Sequence, residues 1–532
     1  MSAASSSLRS SLTLSCAILA AIVAAGWMTA CGSGGTPPIK KLSGNTSVTV
    51  LLSSTANDQL ADFGLGLTGI TLTSQSGKVV SLFSVPTGTQ QWAEFIHVNG
   101  TAEPLVTLSV PQDVYTSAAV TTGDSYFTCV TQQSTGALDV SFYGYGTNPS
   151  NAPPSTITVN LASPITITGD SVGLTLDLQV AQSASYSSCY DAGLTGTYSI
   201  TPTFNLTPVS LSTNPTSAKN GKIQNLMGQV TAIAGGSFTL TMPNGARTLS
   251  VATNGSTLYQ GISDFSAIAV GLFVNLDAVL QGDGSLLASR IGVADPAAID
   301  VVRGPALQVA QAEPAIPEQN TMIFNLASQP PDQIPITWNY GIGSSQFQIS
   351  GAMNNLQSLP FVASFNQANL VGGQSIFITS QTIDYNAGVD PEATTVTLLP
   401  QMVNGTVISS MPSGSFTDYT ISLASDDLFP TLAVQPGQIT LLNSPGVMDV
   451  YVDSNTQKLN TSALVPGSTL RFYGLVFNDN GALRMDCAQV NDGVTASSLT
   501  TTQNALRQGE IQTVRQFAVG NSTHREITRV RQ

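Results

Sequence analysis

Hydrophobic and polar positions divide this chain into three stretches. Leu12 to Ala25 forms an apolar run of about 14 residues behind Arg9, shorter than the roughly 20 a spanning helix needs, and leads to the small residues Met28, Thr29 and Ala30. That layout predicts a cleaved export signal over 1–30. Residues 31–46 hold Gly, Ser, Pro and Lys with little to bury, which predicts a flexible tether. From Ser47 onward, short apolar runs and period-two alternation replace any helical periodicity. Ser47–Leu52, Phe63–Leu72, Leu138–Tyr145, Ile157–Leu161, Val172–Val180 and Tyr198–Leu206 read as strands separated by Gly, Pro and Asn. Their spacing predicts a β-sandwich over 47–211, followed by a Ser, Thr, Asn and Pro linker at 208–222.

An internal repeat then begins. The first copy, 226–293, reads Gly228-Gln229-Val230, Gly236-Ser237-Phe238-Thr239, Val270-Gly271-Leu272-Phe273-Val274 and Gly282-Asp283-Gly284. A later copy, 403–492, repeats the order as Gly405-Thr406-Val407, Gly414-Ser415-Phe416-Thr417, Pro466-Gly467-Ser468-Thr469-Leu470 and Asn480-Gly481. A divergent copy lies between them at 302–390, with Gly372 and Gly373 at the place of the late glycine. Gly-Asp-Gly and Asn-Gly suit hairpin loops that need φ > 0. Val274, Leu276, Ala278 and Leu280 alternate with Asn275 and Asp277, which predicts one buried face. Five or six strands in 65–90 residues close most easily into a small barrel, which removes exposed edges. The fold class expected is therefore all-β: an N-terminal β-sandwich followed by about three tandem small β-barrel (OB-like) modules.

The repeat resembles a small β-barrel family of unknown function found in bacterial secreted proteins and lipoproteins, with the same opening Gly-x-Val, Ser-Phe-Thr and late glycine. The block at 47–211 likewise resembles an uncharacterised sandwich domain that follows a lipobox. Neither resemblance implies a reaction or a catalytic residue. Met28-Thr29-Ala30-Cys31 is similar to the lipobox itself, which implies lipidation at Cys31 and anchoring of the mature chain to a membrane. Gly32 after the cysteine implies the outer membrane of a bacterial cell envelope.

Composition narrows the function classes. Charged residues make up 9% of the chain, against about 25% in an average soluble protein, so helix surfaces are hard to build and β structure is favoured. The net charge of −14 becomes about −15 once Arg9 leaves, which opposes nucleic-acid binding. The stretch 495–532 runs the other way, with five Arg against Glu510 and Glu526. It reads either as a solvated terminus or as a hairpin around Gly520-Asn521-Ser522 docked on an acidic domain or partner.

Candidate chemistry is sparse. Of five cysteines, Cys16 leaves with the signal and Cys31 is the anchor; Cys129 and Cys189 fall in one block and are the expected disulfide, with Cys487 a buried thiol. No C-x-x-C spacing exists and only His97 and His524 are present, which argues against zinc. His97, in an expected strand Glu94–Val98, is read as a half-buried strand histidine rather than a base beside a serine. Asp426 and Asp427 mark a turn, not a glycosidase pair, and Asn478–Gly481 is read as a hairpin rather than a calcium loop. In Leu138–Tyr145 the alternation puts Leu138, Val140 and Phe142 inward and Ser141, Tyr143 and Tyr145 outward, so Tyr143 and Tyr145 form a candidate shelf for a sugar or protein, extended by Trp92, Tyr115 and Tyr126. No catalytic residue, metal or cofactor is expected. The functional expectation is a lipid-anchored, non-enzymatic binding or adhesion protein for a glycan or envelope protein, the alternatives being a structural spacer and, behind both, an envelope hydrolase.

Overall fold

The alternating run at Ser47–Leu52 becomes the strand Asn45–Thr55, which pairs parallel with Ser171–Gln179 and antiparallel with Glu103–Pro111. Phe204–Val209 completes this four-stranded sheet. The computed structural model describes residues 42–492, apart from internal segments of which 146–154, 187–197, 311–319, 330–336, 383–390 and 435–441 are the longest, together with 510–514 and 528–530. The facing sheet is built on the long strands Leu60–Ser74 and Asp113–Gln132. Val48, Val50 and Leu174 from one sheet meet Leu65, Leu67 and Phe127 from the other in a single core, so the block is a β-sandwich. Two expected strands differ: Val172–Val180 shifts to Ser171–Gln179 because Val180 opens a helical turn, and Tyr198–Leu206 divides into Tyr198–Ile200 and Phe204–Val209. At the far edge, Glu510–Val514 pairs with Leu138–Tyr145, and Thr528–Val530 pairs back on it. The C-terminal hairpin therefore extends the sandwich sheet.

Three barrels follow with one topology. In the first, Lys222–Ala234, Ser237–Thr241 and Thr248–Ala252 form a meander; Phe273–Leu280 pairs with the first strand and with Leu286–Gly292, which closes the ring by running parallel to Thr248–Ala252. That order, 1-2-3-5-4-1, is an OB-type barrel. The third barrel repeats it with Gln401–Ser413, Phe416–Ser422, Val447–Val452, Thr469–Asp479 and Ala482–Asp492. The middle one uses Asp300–Ala310, Asn320–Phe324, Thr337–Gly341, Ser375–Ser380 and Ala393–Leu398, closed by a single parallel bridge from Gly341 to Glu392.

The repeat is a register as well as a pattern. Gly228, Gly304 and Gly405 each sit opposite the second residue of the fourth strand: Val274, Ile376 and Leu470. A Cβ on Gly228 would lie 2.6 Å from the Thr241 carbonyl oxygen, and one on Gly405 2.6 Å from Ile421, so the first strand crosses the second too closely for a side chain. The late glycines Gly271, Gly373 and Gly467 all have positive φ, and their N–H groups donate to Val230, Ala306 and Val407 at 2.7–2.8 Å. Asn480 (φ 53°) and Gly481 (φ 91°) make the hairpin their sequence implies.

The modules are packed on one another, not strung out. Leu51 and Ala102 of the sandwich enter the core of the first barrel, and Leu475 and Phe477 of the third enter the core of the middle one. Met227 and Phe273 of the first barrel cluster with Val301 and Phe377 of the middle one. A further cluster joins Ala61, Val130 and Val140 of the sandwich to Leu307 of the middle barrel and Leu432 of the third. Leu432 lies on the short helix Leu428–Ala433, an insertion between the second and third strands of the third barrel. In the first barrel that connection is a hairpin from Met242 to Arg247.

Candidate functional site

Charge is scarce in this chain, and a buried group of charged side chains is gathered where the sandwich meets the barrels. The strand Gln91–Glu94 ends at Glu94, and the chain turns back because the Glu94 carboxylate accepts the N–H groups of Phe63, Ile96 and His97. This turn replaces the expected strand Glu94–Val98: the local hydrogen bonds of one carboxylate outweigh the alternation. It also brings the His97 ring between two acids. Nδ1 donates to Glu94 and Nε2 to Glu103, both at 2.8 Å. Burial opposes the charge on His97, but the hydrogen bonds to Glu103 and Glu94 outweigh it and raise its pKa to about 9. Burial likewise works against Glu103, yet Arg247 and His97 lower it to about 2. Arg247, from the first barrel, binds the Glu103 carboxylate and donates to the Pro104 carbonyl oxygen at 2.9 Å. Beside them, burial and then the charge of Glu94 push the Asp62 carboxyl well up.

The network continues into the barrels. Asn225, at φ 58° in a bulge of the first strand, receives the Asn275 amide on its side chain at 2.6 Å, and its own N–H donates to Asp277 at 2.8 Å. Arg290 bridges Asp277 and Asn275 at 2.7 Å each. Asn275 and Asp277 are therefore buried, at 8% and 7% exposed, not the solvent face their alternation suggests; the adjoining module covers them. Arg303, another buried cation, sits on the first strand of the middle barrel and donates from Nη1 to the Asn225 carbonyl oxygen at 2.8 Å. Arg471 of the third barrel binds the Asn99 side chain of the sandwich turn.

Next to this network lies a cavity of about 120 Å3. Its polar lining includes His97, Asn99, Arg303, Gln401, Asn404, Asp427 and Tyr473; its apolar lining includes Leu60, Ile96, Met402, Leu423, Leu428 and Phe429. The sandwich, the middle barrel and the third barrel all contribute. The volume is several times what one water molecule needs.

Most residues expected to matter from sequence fall elsewhere. Cys31 and Cys189 lie outside the described residues. Cys129 is fully buried and disulfide-bonded, and its partner also lies outside the described residues. The backbone register sets Tyr143 opposite Phe127 and Tyr145 opposite Ser125; the side chains of both tyrosines lie outside the described residues. Ser141, expected outward, is 5% exposed and sits opposite the core residue Cys129. Both sides of the strand are covered there, because Val140 packs against the barrels. Tyr115, expected on the shelf, is in the core with its hydroxyl donating to Pro111 at 2.8 Å. Trp92 remains 36% exposed, its ring 5.6 Å from that of Tyr126. Cys487 is a buried free thiol, as expected. Among the described residues, no group of three or more His, Cys, Asp or Glu side chains is placed to hold a metal. Sequence reading passed over Glu94, Glu103, Arg247 and Arg303. The available signal was an arginine inside an apolar strand, as in Val301-Val302-Arg303-Gly304.

Strand order and site together define an all-β protein of a sandwich and three OB-type barrels, with a mixed polar and apolar cavity lined by the sandwich, the middle barrel and the third barrel. A family described as a domain of unknown function, DUF5666, matches residues 227–292, the span of the first barrel. No curated protein matches the chain. Solved structures similar to it include tetrameric p202 HIN2, at 12% identity over 35% of this chain and 86% of that one, with a TM-score of 0.11. Drosophila Unr CSD456 is 8% identical over 51% of this chain and 98% of that one, with a TM-score of 0.12. At these scores neither bears on the fold, which rests on the strand pairings.

Proposed function

We propose that the protein is a lipid-anchored envelope protein that binds a ligand, without catalysing a reaction, in the cavity where its modules meet. One observation carries this reading: the cavity is built from the places where the repeats differ. Residues just before the register glycine are Met227 and Asn404 in the outer barrels but Arg303 in the middle one. The helix Leu428–Ala433 has no counterpart in the first barrel. Features a barrel needs for folding would recur in each copy; these do not, and they line one space.

A non-catalytic role is supported by His97, whose two ring nitrogens are both committed to carboxylates and so offer no base to a nucleophile. The acidic charge supports partners other than nucleic acid. Lipidation at Cys31 and the outer-membrane location rest on the lipobox-like segment. A glycan or envelope protein remains the partner class for the exposed Trp92, whose ring lies beside that of the half-buried Tyr126. The cavity reading is tested by thermal unfolding of the full chain against a panel of small neutral and charged compounds, comparing wild type with Leu428→Trp, which fills the space. Stabilisation of wild type alone is expected; equal shifts in both proteins would remove the cavity as the site.

A further inference from the structure

Arg303 is 7% exposed, yet among the described residues its one hydrogen bond is that from Nη1 to Asn225, and no carboxylate pairs with it. Burial pushes its pKa down, and only the more distant Tyr473, Glu103 and Glu94 act the other way. Those acids are already engaged, Glu94 with His97 and three backbone N–H groups, Glu103 with His97 and Arg247. The edge of the guanidinium carrying Nε and Nη2 is thus left without an acceptor among the described residues, although burying a charge without a partner is strongly unfavourable. Tyr473, 3% exposed, lines the same wall, and its hydroxyl makes no hydrogen bond among the described residues.

Resting on the binding function proposed above, we propose that the cavity takes a small organic monocarboxylate, its head group on the free edge of Arg303 and the Tyr473 hydroxyl, its apolar body against Leu428 and Phe429. The planar fork of a guanidinium matches the two oxygens of a carboxylate. A single free cation among the described residues of the lining suits a monoanion, and Asp427 in the lining, with Glu94 and Glu103 close by, disfavours a dianion such as inorganic phosphate. The apolar part of the lining, Ile96, Met402, Leu423, Leu428 and Phe429, rejects a ligand that is polar throughout.

Calorimetric titration of the full chain with hexanoate, with 1-hexanol and with inorganic phosphate tests the inference. Hexanoate binds at least about tenfold more tightly than hexanol, and phosphate does not bind. Arg303→Gln brings hexanoate down to the level of hexanol. Leu428→Trp, which keeps the arginine and fills the space, abolishes hexanoate binding; it serves as the deciding variant if Arg303→Gln fails to fold. Equal affinity for hexanoate and hexanol, or unchanged hexanoate binding in a folded Arg303→Gln, overturns the inference and leaves the cavity as a neutral-ligand site. Binding of none of the three to wild type overturns the inference too, whereas the broader panel decides the fate of the cavity itself.

Discussion

His97 is held as an imidazolium by two buried carboxylates, and that fixes how stability depends on pH. A folded pKa raised to about 9 from 6.5 gives a contribution fully present below pH 6.5 and lost as pH rises through 9. A Glu103 pKa lowered to about 2 from 4.5 gives one present above pH 4.5 and lost as pH falls through 2. The melting-temperature gap between wild type and His97→Gln is therefore widest between pH 4.5 and 6.5 and narrows toward pH 9; a gap constant from pH 5 to 9.5 would show that the charge is not the source. Arg290→Met strands Asp277 and Asn275 in a buried site and costs about 3–5 kcal/mol, readable from urea unfolding. None of this was legible in the sequence. Alternation assigns His97 to a strand face, but three backbone N–H groups collected by Glu94 bend the chain, and partners such as Glu103 and Arg247, 144 residues apart, meet only after folding.

Turn chemistry is local, so the elements were far more legible. Gly271, Gly373 and Gly467, read as equivalent from spacing, share one positive-φ turn and one pair of backbone hydrogen bonds. Gly467→Ala, with open space around its Cβ, pays only the left-handed backbone penalty of about 1–2 kcal/mol. Gly228→Ala adds overpacking against Thr241 and Leu240 and costs about 1–3 kcal/mol. Gly255→Ala, which meets nothing and has no positive φ, stays within about 0.5 kcal/mol of wild type. Chemical unfolding of the full chain gives the order; parity of Gly228→Ala with Gly255→Ala would contradict the close crossing. The middle copy was hard to read because its sequence keeps the register glycine and late glycine while its third strand closes on the fifth through one bridge. Ser141 was misread for a different reason: at Val140 and Ser141 the strand lies between a sandwich core and a neighbouring module and is covered on both sides, and alternation then carries no inward direction.

At the scale of the whole molecule, shared clusters among sandwich and barrels make a closed assembly, which bears against the spacer reading. Small-angle scattering of the folded part should give a radius of gyration near the compact-domain value of roughly 22 Å; a markedly larger radius with resolved inter-barrel spacing would restore the spacer. Palmitate labelling of wild type but not of Cys31→Ala is expected in a bacterial host, and equal labelling would remove the anchor. By itself the sequence determined the all-β class, the sandwich, the repeat and its turn glycines, because alternation and φ > 0 act within a few residues. Only the tertiary structure decided how the modules pack, which charges are buried, and that Arg303 lines a cavity with one guanidinium edge free of acceptors among the described residues, because those depend on contacts between segments far apart in the chain.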